Sequence, residues 1–195
     1  MEKVIIMIGP PGSGKGTQAK KIAEKYNYEH ISTGDLLRSL YKSPEISLKE
    51  KNILDEVLKE GELAPDDLIY RLTFAQIIKD LKNKDGVVLD GAIRNLKQAG
   101  DFQKFFQENK LSVLVFHVSL TDKEIFARLA KRKLLENRQD DEQKVVEERV
   151  KTQGTKALAP ILNFYKDKGL LAEVDGSPSI AEVEKSIDKI LAGRK

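Results

Sequence analysis

Cysteine and tryptophan are missing from this 195-residue sequence, and histidine occurs only twice. A chain without cysteine forms no disulfide and offers no thiolate ligands, so the sequence predicts no zinc site. Long apolar runs are missing as well, because the run at residues 4–8 is too short for a membrane span or a signal-peptide core. We therefore expect a cytoplasmic protein that does not insert into a membrane.

Charge of one sign is not in large excess either. Lysine and arginine number 34 against 31 aspartates and glutamates, which gives a net charge of +3. So small an excess does not by itself indicate a nucleic-acid or membrane surface, and we expect neither as a partner. The hydrophobic fraction of 40% and the length of the chain suit a single domain with its own core.

Short apolar runs alternate with helical patterns along the chain. The runs predict four strands, at residues 4–8, 87–89, 113–118 and 170–174. Helical periodicity predicts eight helices, at residues 14–25, 34–40, 47–60, 66–83, 96–109, 122–133, 141–168 and 179–191. This alternation is typical of an α/β fold in which helices cover both faces of a parallel sheet.

The first two predicted strands are separated by about eighty residues, far more than one crossover helix needs. We therefore expect an inserted helical lobe at about residues 32–61, with Gly61 and Pro65 marking its end. The sequence shows no internal repeat or linker. The prediction is one domain, residues 1–195, that carries this insertion.

A glycine-rich segment, GPPGSGKGT at residues 9–17, lies between the first predicted strand and the first predicted helix. This is the setting of a P-loop, in which backbone N–H groups and the helix N-terminus bind phosphate and Lys15 reaches the outer phosphates. Here Gly16 follows the lysine, and the hydroxyl comes one position later than usual, at Thr17. The sequence therefore predicts a P-loop NTPase fold.

Six further motifs follow the P-loop. They are STGDLLR at residues 32–38, VLDG at 88–91, RLAKR at 128–132, RQDD at 138–141, Arg149, and VDG at 174–176. With these motifs the chain resembles the nucleoside monophosphate kinases, and most closely the adenylate kinases with a short lid. The resemblance implies transfer of the terminal phosphate of ATP to AMP, with ATP and AMP as partners and Mg²⁺ as cofactor.

The resemblance also implies which residues bind ATP. They are Gly12, Ser13, Gly14, Lys15, Gly16, Thr17, Arg128, Arg132 and Pro178. The cations expected to be catalytic are Lys15, Arg94, Arg132, Arg138 and Arg149, with Asp140 and Asp141 holding the closed arrangement of arginines. Phosphoryl transfer needs positioned cations rather than an acid–base histidine. For any single arginine a solvated surface charge is the simpler interpretation, but the set favours phosphate contacts.

A second set of residues matches the AMP site of the adenylate kinases. It comprises Thr33, Arg38, Glu62, Leu63, Ala64, Gly91, Arg94, Gln98, Arg138 and Arg149. The amide of Gln98 is expected to read the adenine edge, because it can both donate and accept. Thr33 and Gln98 favour AMP over UMP or CMP, so a kinase of UMP, CMP or another nucleoside monophosphate is the alternative.

Asp90 ends a predicted strand at the edge of the sheet where ligands bind. A carboxylate there can hold Mg²⁺ directly or through water, and Thr17 is the second expected ligand. The alternative is a helix-capping aspartate. The two histidines, His30 and His117, belong to no ligand cluster in the sequence, and we expect both to be structural.

One segment departs from the family pattern, because Gly91 and Arg94 enclose Ala92 and Ile93 where an aromatic residue and a proline are usual. Without that proline a cis bond is costly, so the sequence leaves open whether this bond is cis, or trans with a displaced Arg94. It also leaves open a nucleotide-binding regulator with weak catalysis.

The segment at about residues 133–139 predicts a short lid without zinc, and we expect a monomer. Gly154 lies inside the predicted helix at 141–168, where it predicts a bend.

Overall fold

Parallel strands form a single sheet in the computed structural model, which describes residues 1–60, 62–136 and 143–194. Within those ranges the strands are β1 Val4–Ile8, β2 Tyr28–Ser32, β3 Gly86–Asp90, β4 Val113–Ser119 and β5 Leu171–Asp175. Their order across the sheet is β2-β3-β1-β4-β5, and every neighbouring pair is parallel. This confirms the predicted α/β class with a parallel sheet.

Helices lie on both faces of this sheet. In the described ranges they are α1 Lys15–Tyr26, α2 Thr33–Tyr41, α3 Leu48–Asp55, α4 Asp66–Asp80, α5 Leu96–Glu108, α6 Asp122–Glu136, α7 Gln143–Gln153, α8 Thr155–Asp167 and α9 Ile180–Ala192. Helices α1 and α9 pack on one face, whereas α4, α5 and α8 pack on the other. The layers are therefore helix, sheet and helix.

The position of β1 in the middle of the sheet explains why its sequence is apolar throughout. All five of its side chains are buried. Val4, Ile6 and Ile8 join the core on the α5 and α8 face, while Ile5 and Met7 join the core on the α1 and α9 face. Successive side chains of a strand point to opposite faces, so a central strand covered on both sides has no polar position.

The sequence-based prediction missed β2. Its residues, YEHIS, form no apolar run, since only Tyr28 and Ile31 are buried, and the strand pairs only with β3 at the sheet edge. An edge strand covered by fewer neighbours tolerates such polar residues. Because β2 ends at Ser32, whose side chain caps α2, it places Thr33 and Arg38 beside the end of β3.

Two predicted helices also differ from the structure. The helix predicted at residues 47–60 is α-helical only to Asp55 and then continues as a π-helical turn, Glu56–Glu60. The helix predicted at 141–168, where it is described, is two helices that meet at Gly154, α7 before it and α8 after it. A Cβ at Gly154 would lie 2.2 Å from the Val150 carbonyl oxygen, so only glycine fits this junction.

Candidate active site

The P-loop lies between β1 and α1, as its sequence predicts. Gly12 and Gly14 have φ of 78° and 86°, in the left-handed region that favours glycine. The turn is closed by the N–H of Ser13, which donates to the Pro10 carbonyl at 3.2 Å. Since α1 begins at Lys15, the loop leads directly to the N-terminus of a helix, where an anion is favoured.

Lys15 is crowded by protein and by other cations. Burial, opposed by Asp90 and reinforced by Arg94, Arg149 and Arg132, lowers its pKa to about 7. Its ammonium also donates to the Pro10 carbonyl at 3.3 Å. Cations held this close repel one another, so an anion of several charges is the ligand that this arrangement favours.

Asp90, the last residue of β3, lies against the start of α1. A Cβ at Gly16 would be 2.8 Å from Asp90 Oδ2, so glycine at this position gives the carboxylate its room. Burial favours the neutral acid, but His30, Lys15 and Arg94 outweigh burial and lower the pKa of Asp90. The carboxylate is therefore charged at neutral pH, and its Oδ1 is buried without a hydrogen-bond partner among the described residues.

The acceptor-side residues lie across from the P-loop. Thr33 is buried, and its hydroxyl has no hydrogen-bond partner in the described ranges. Arg38 forms an ion pair with Asp35, with Nη2 and Oδ1 2.5 Å apart. These two residues come from α2, which follows the edge strand that the sequence analysis missed.

The loop that carries Arg94 is well packed despite its unusual sequence. Ala92 and Ile93 are both buried in the core, and the bond between them, which the sequence left open, is trans. Arg94 Nε donates to the Gly91 carbonyl at 3.0 Å, and the backbone N–H of Arg94 donates to Gln98 Oε1 at 2.6 Å. The apolar side chains that replace the aromatic residue and the proline therefore anchor the loop through burial.

Two arginines of α6 lie one helical turn apart, as their spacing predicts. Arg128 and Arg132 face the same cavity, and Arg149 of α7 lines it as well. The guanidinium of Arg128 donates to the carbonyls of Gly176 and Ser177, at 2.8 and 3.1 Å. Arg138, Asp140 and Asp141 lie outside the described residues.

A single cavity of about 640 Å³ connects these parts. Its lining includes the predicted residues Gly12, Gly14, Lys15, Gly16, Thr17, Thr33, Arg38, Glu62, Leu63, Ala64, Asp90, Gly91, Arg94, Gln98, Arg128, Arg132 and Arg149. A second cavity of about 360 Å³ is lined by Ser13, Pro178 and Arg128, together with parts of α1 and α9. The residues predicted to bind ATP therefore line both cavities, and Gly14, Thr17 and Arg128 belong to each of them.

Residues without an assigned role in the sequence analysis also line the larger cavity. His30, expected to be structural, reaches it with Nε2 buried, unpartnered in the described ranges and 3.9 Å from Asp90 Oδ2. Gln153 is buried at the end of α7 and lines the same cavity. By contrast, His117 contacts Glu173, with Nδ1 and Oε2 2.6 Å apart. No sequence motif marks His30 or Gln153, because packing alone brings them to the site.

The described residues offer neither a metal-binding cluster nor a membrane-spanning helix. In the described ranges, no group of three or more histidines and acidic residues is placed to hold a metal ion. No described helix combines the length and the apolar character that crossing a membrane requires.

The fold and the cavity together define a P-loop nucleotide-binding protein of the phosphotransferase class. The family model for adenylate kinase matches residues 7–170. The adenylate kinase of Chloroherpeton thalassium is 35% identical, over 96% of this chain and 97% of its own. Those of Rickettsia africae and Leptospira biflexa are 33% and 35% identical, over 96% of this chain and 98% of theirs. The chain belongs to the adenylate kinase family.

Proposed function

We propose that this chain catalyses the reversible transfer of the terminal phosphate of ATP to AMP, which gives two molecules of ADP. Its family supports this reaction. The observation that carries the proposal is the continuous 640 Å³ cavity, which is lined at one side by the P-loop and at the other by the residues expected to bind AMP. Two phosphorylated ligands in one cavity can meet without an intermediate carrier.

Charge stabilisation is the main catalytic contribution of the protein in this proposal. The transferring phosphoryl group spreads negative charge over its oxygens, and preorganised cations stabilise that charge without reorganising. Lys15, Arg94, Arg132 and Arg149 line the cavity and supply these charges, with Arg138 as a further expected contact. A bound triphosphate favours the charged form of Lys15, whose pKa is lowered in the free protein.

The donor nucleotide lies on the P-loop, with its base toward the second cavity beside Arg128 and Pro178. The acceptor phosphate lies near Arg38 and Arg94. Its base lies toward Gln98 and the segment 62–64. This arrangement directs the acceptor oxygen toward the terminal phosphate of ATP for in-line attack.

Asp90 and Thr17 fit a magnesium ion that is carried in with ATP. Asp90 offers an ionised oxygen that is buried and unpartnered among the described residues, and Thr17 lines the same cavity. Two protein oxygens are enough for Mg²⁺, because this ion keeps several waters and binds phosphate oxygens as its other ligands. When bound, the ion neutralises charge on the outer phosphates.

The lobe at about residues 32–61 is proposed to close over the two nucleotides, together with the lid expected at about residues 133–139, which lies partly outside the described residues. Closure would exclude water and so protect ATP from hydrolysis. A monomeric state and a cytoplasmic location also stay proposals, and light scattering on the purified protein tests the first of them.

The direct test measures ADP formation from ATP and Mg²⁺ with AMP, UMP, CMP or GMP as acceptor, with Lys15→Ala as the blank. We expect strong preference for AMP. Preference for a pyrimidine monophosphate would overturn the base assignment to Thr33 and Gln98. ATP binding without transfer to any acceptor would indicate the regulator alternative instead.

A further inference from the structure

A buried polar network connects α4 with the Arg94 loop. Asp66, the first residue of α4, accepts from Gln98 Nε2 at 2.9 Å and from Asn95 Nδ2 at 3.2 Å, both through Oδ1. Gln98 Oε1 in turn accepts from the backbone N–H of Arg94 at 2.6 Å. Gln98 is 1% exposed, so water does not easily replace either partner. Asp66 lies outside every motif of the sequence analysis.

The two partners of Gln98 determine which way its amide faces. A side-chain amide has two orientations that exchange its oxygen and its nitrogen. The carboxylate of Asp66 accepts a hydrogen bond from the Gln98 amide, so it requires Nε2 on its side. The Arg94 N–H only donates, so it requires Oε1 on the opposite side. Reversing the amide would bring oxygen against oxygen and N–H against N–H in a buried place.

Asp66 itself is held in position. Its second oxygen, Oδ2, accepts from Lys97 Nζ at 3.1 Å, and the same ammonium lies 3.0 Å from Asp101 Oδ2. The side chain of Asp66 is only 26% exposed. The carboxylate is therefore a fixed acceptor for the hydrogen bond from the Gln98 amide.

With both contacts made, the Gln98 amide retains one hydrogen on Nε2 and one lone pair on Oε1, and the residue lines the larger cavity. Adenine has an amino donor at position 6 and ring-nitrogen acceptors beside it, which complement this pair. A 6-oxo purine has an acceptor at position 6, so its oxygen would face Oε1. Buried polar groups left mismatched in this way reject a ligand strongly.

We propose that Asp66 is a positioning residue that fixes the orientation of the Gln98 amide and so makes the acceptor site select 6-amino over 6-oxo purine monophosphates. The inference rests on the proposed function for its substrate. Its structural part, the orientation of Gln98 by Asp66, concerns the protein alone.

Three variants distinguish the loss of the acceptor oxygen from the loss of the charge and from a general effect on helix α4. Asp66→Leu has nearly the same size but offers no acceptor, and Asp66→Asn keeps an acceptor oxygen while losing the charge. Asp67→Leu is the matched control, because Asp67 lies exposed in the same helical turn. Should Asp66→Leu not unfold cooperatively, Asp66→Ala takes its place.

The first measurement is kcat/KM for AMP divided by kcat/KM for IMP. We expect Asp66→Leu to lower this ratio roughly 10- to 100-fold, the range that one hydrogen bond to a charged group spans. Asp66→Asn should retain most of the ratio, and Asp67→Leu all of it. An unchanged ratio in Asp66→Leu, or an equal loss in either of the other two, overturns the proposal.

The second measurement needs no activity. Hydrogen exchange at the backbone amide of Arg94 reports its bond to Gln98, and we expect exchange about tenfold faster or more in Asp66→Leu than in Asp67→Leu. Equal exchange in the two variants overturns the orienting role. Failure of the wild-type protein to phosphorylate AMP would reject the proposed function, while this exchange comparison would still decide whether Asp66 orients Gln98.

Discussion

Replacing Gly16 with alanine is expected to separate activity from stability. The added Cβ would lie 2.8 Å from Asp90 Oδ2, whereas ordinary contacts begin at about 3.4 Å. The carboxylate would have to move by about 0.6 Å, and its side chain, only 15% exposed, has little space for this movement. Since Asp90 is the expected magnesium ligand, the displacement acts directly on the position of ATP.

The expected loss in kcat and the expected change in stability have separate causes. Misplacing a reacting group by about 1 Å can reduce turnover on the order of a hundredfold, so a smaller shift predicts a loss of at least about tenfold in kcat. The backbone of Gly16 lies outside the left-handed region, and alanine in a helix is favoured over glycine by up to about 1 kcal/mol. This gain opposes the cost of moving Asp90, so the free energy of unfolding should change by less than about 1 kcal/mol.

The assay is ADP formation at several Mg²⁺ concentrations, with thermal unfolding of the same samples. Gly100→Ala is the matched control, because Gly100 lies inside α5 and its added Cβ meets no atom within 4 Å. That control should gain stability and keep its activity. Wild-type kcat and Mg²⁺ dependence in Gly16→Ala would refute the contact between Gly16 and Asp90 as a determinant of catalysis.

Two further changes are informative. Because burial lowers the pKa of Lys15 to about 7 and bound phosphate raises it again, ATP binding at pH 8 should take up roughly 0.9 proton more in the wild type than in Lys15→Met, and close to none more at pH 6. Calorimetry in buffers of different ionisation enthalpy measures this, and equal uptake in both proteins would contradict the pKa assignment. Gly154→Ala should lose about 1–3 kcal/mol in the free energy of urea unfolding, because its Cβ would lie 2.2 Å from the Val150 carbonyl oxygen. If Gly154→Ala proved as stable as the control Gly100→Ala, the backbone at the junction of α7 and α8 would have to shift to make room for the added Cβ.

Local sequence patterns were enough to predict the strands that are buried along nearly their whole length and the phosphate-binding loop. The apolar runs of β1 and β4 and the glycines of the P-loop each carry their signal in a few neighbouring residues. Strand β2 carries no such signal, because an edge strand is defined by its pairing with β3 rather than by its own composition. The break at Gly154 was expected only as a bend, since a glycine alone does not specify what approaches it.

The sequence by itself determined the chemistry of this protein: a phosphate-binding loop, a set of cations for phosphoryl transfer, and the order of motifs that indicates the family. Tertiary structure alone decided which residues come together, as in the close approach of Asp90 to Gly16 and the hydrogen bond between Asp66 and Gln98. These pairs are separated by 74 and 32 residues along the chain. Their contacts depend on how strands and helices pack, and no local periodicity records that packing.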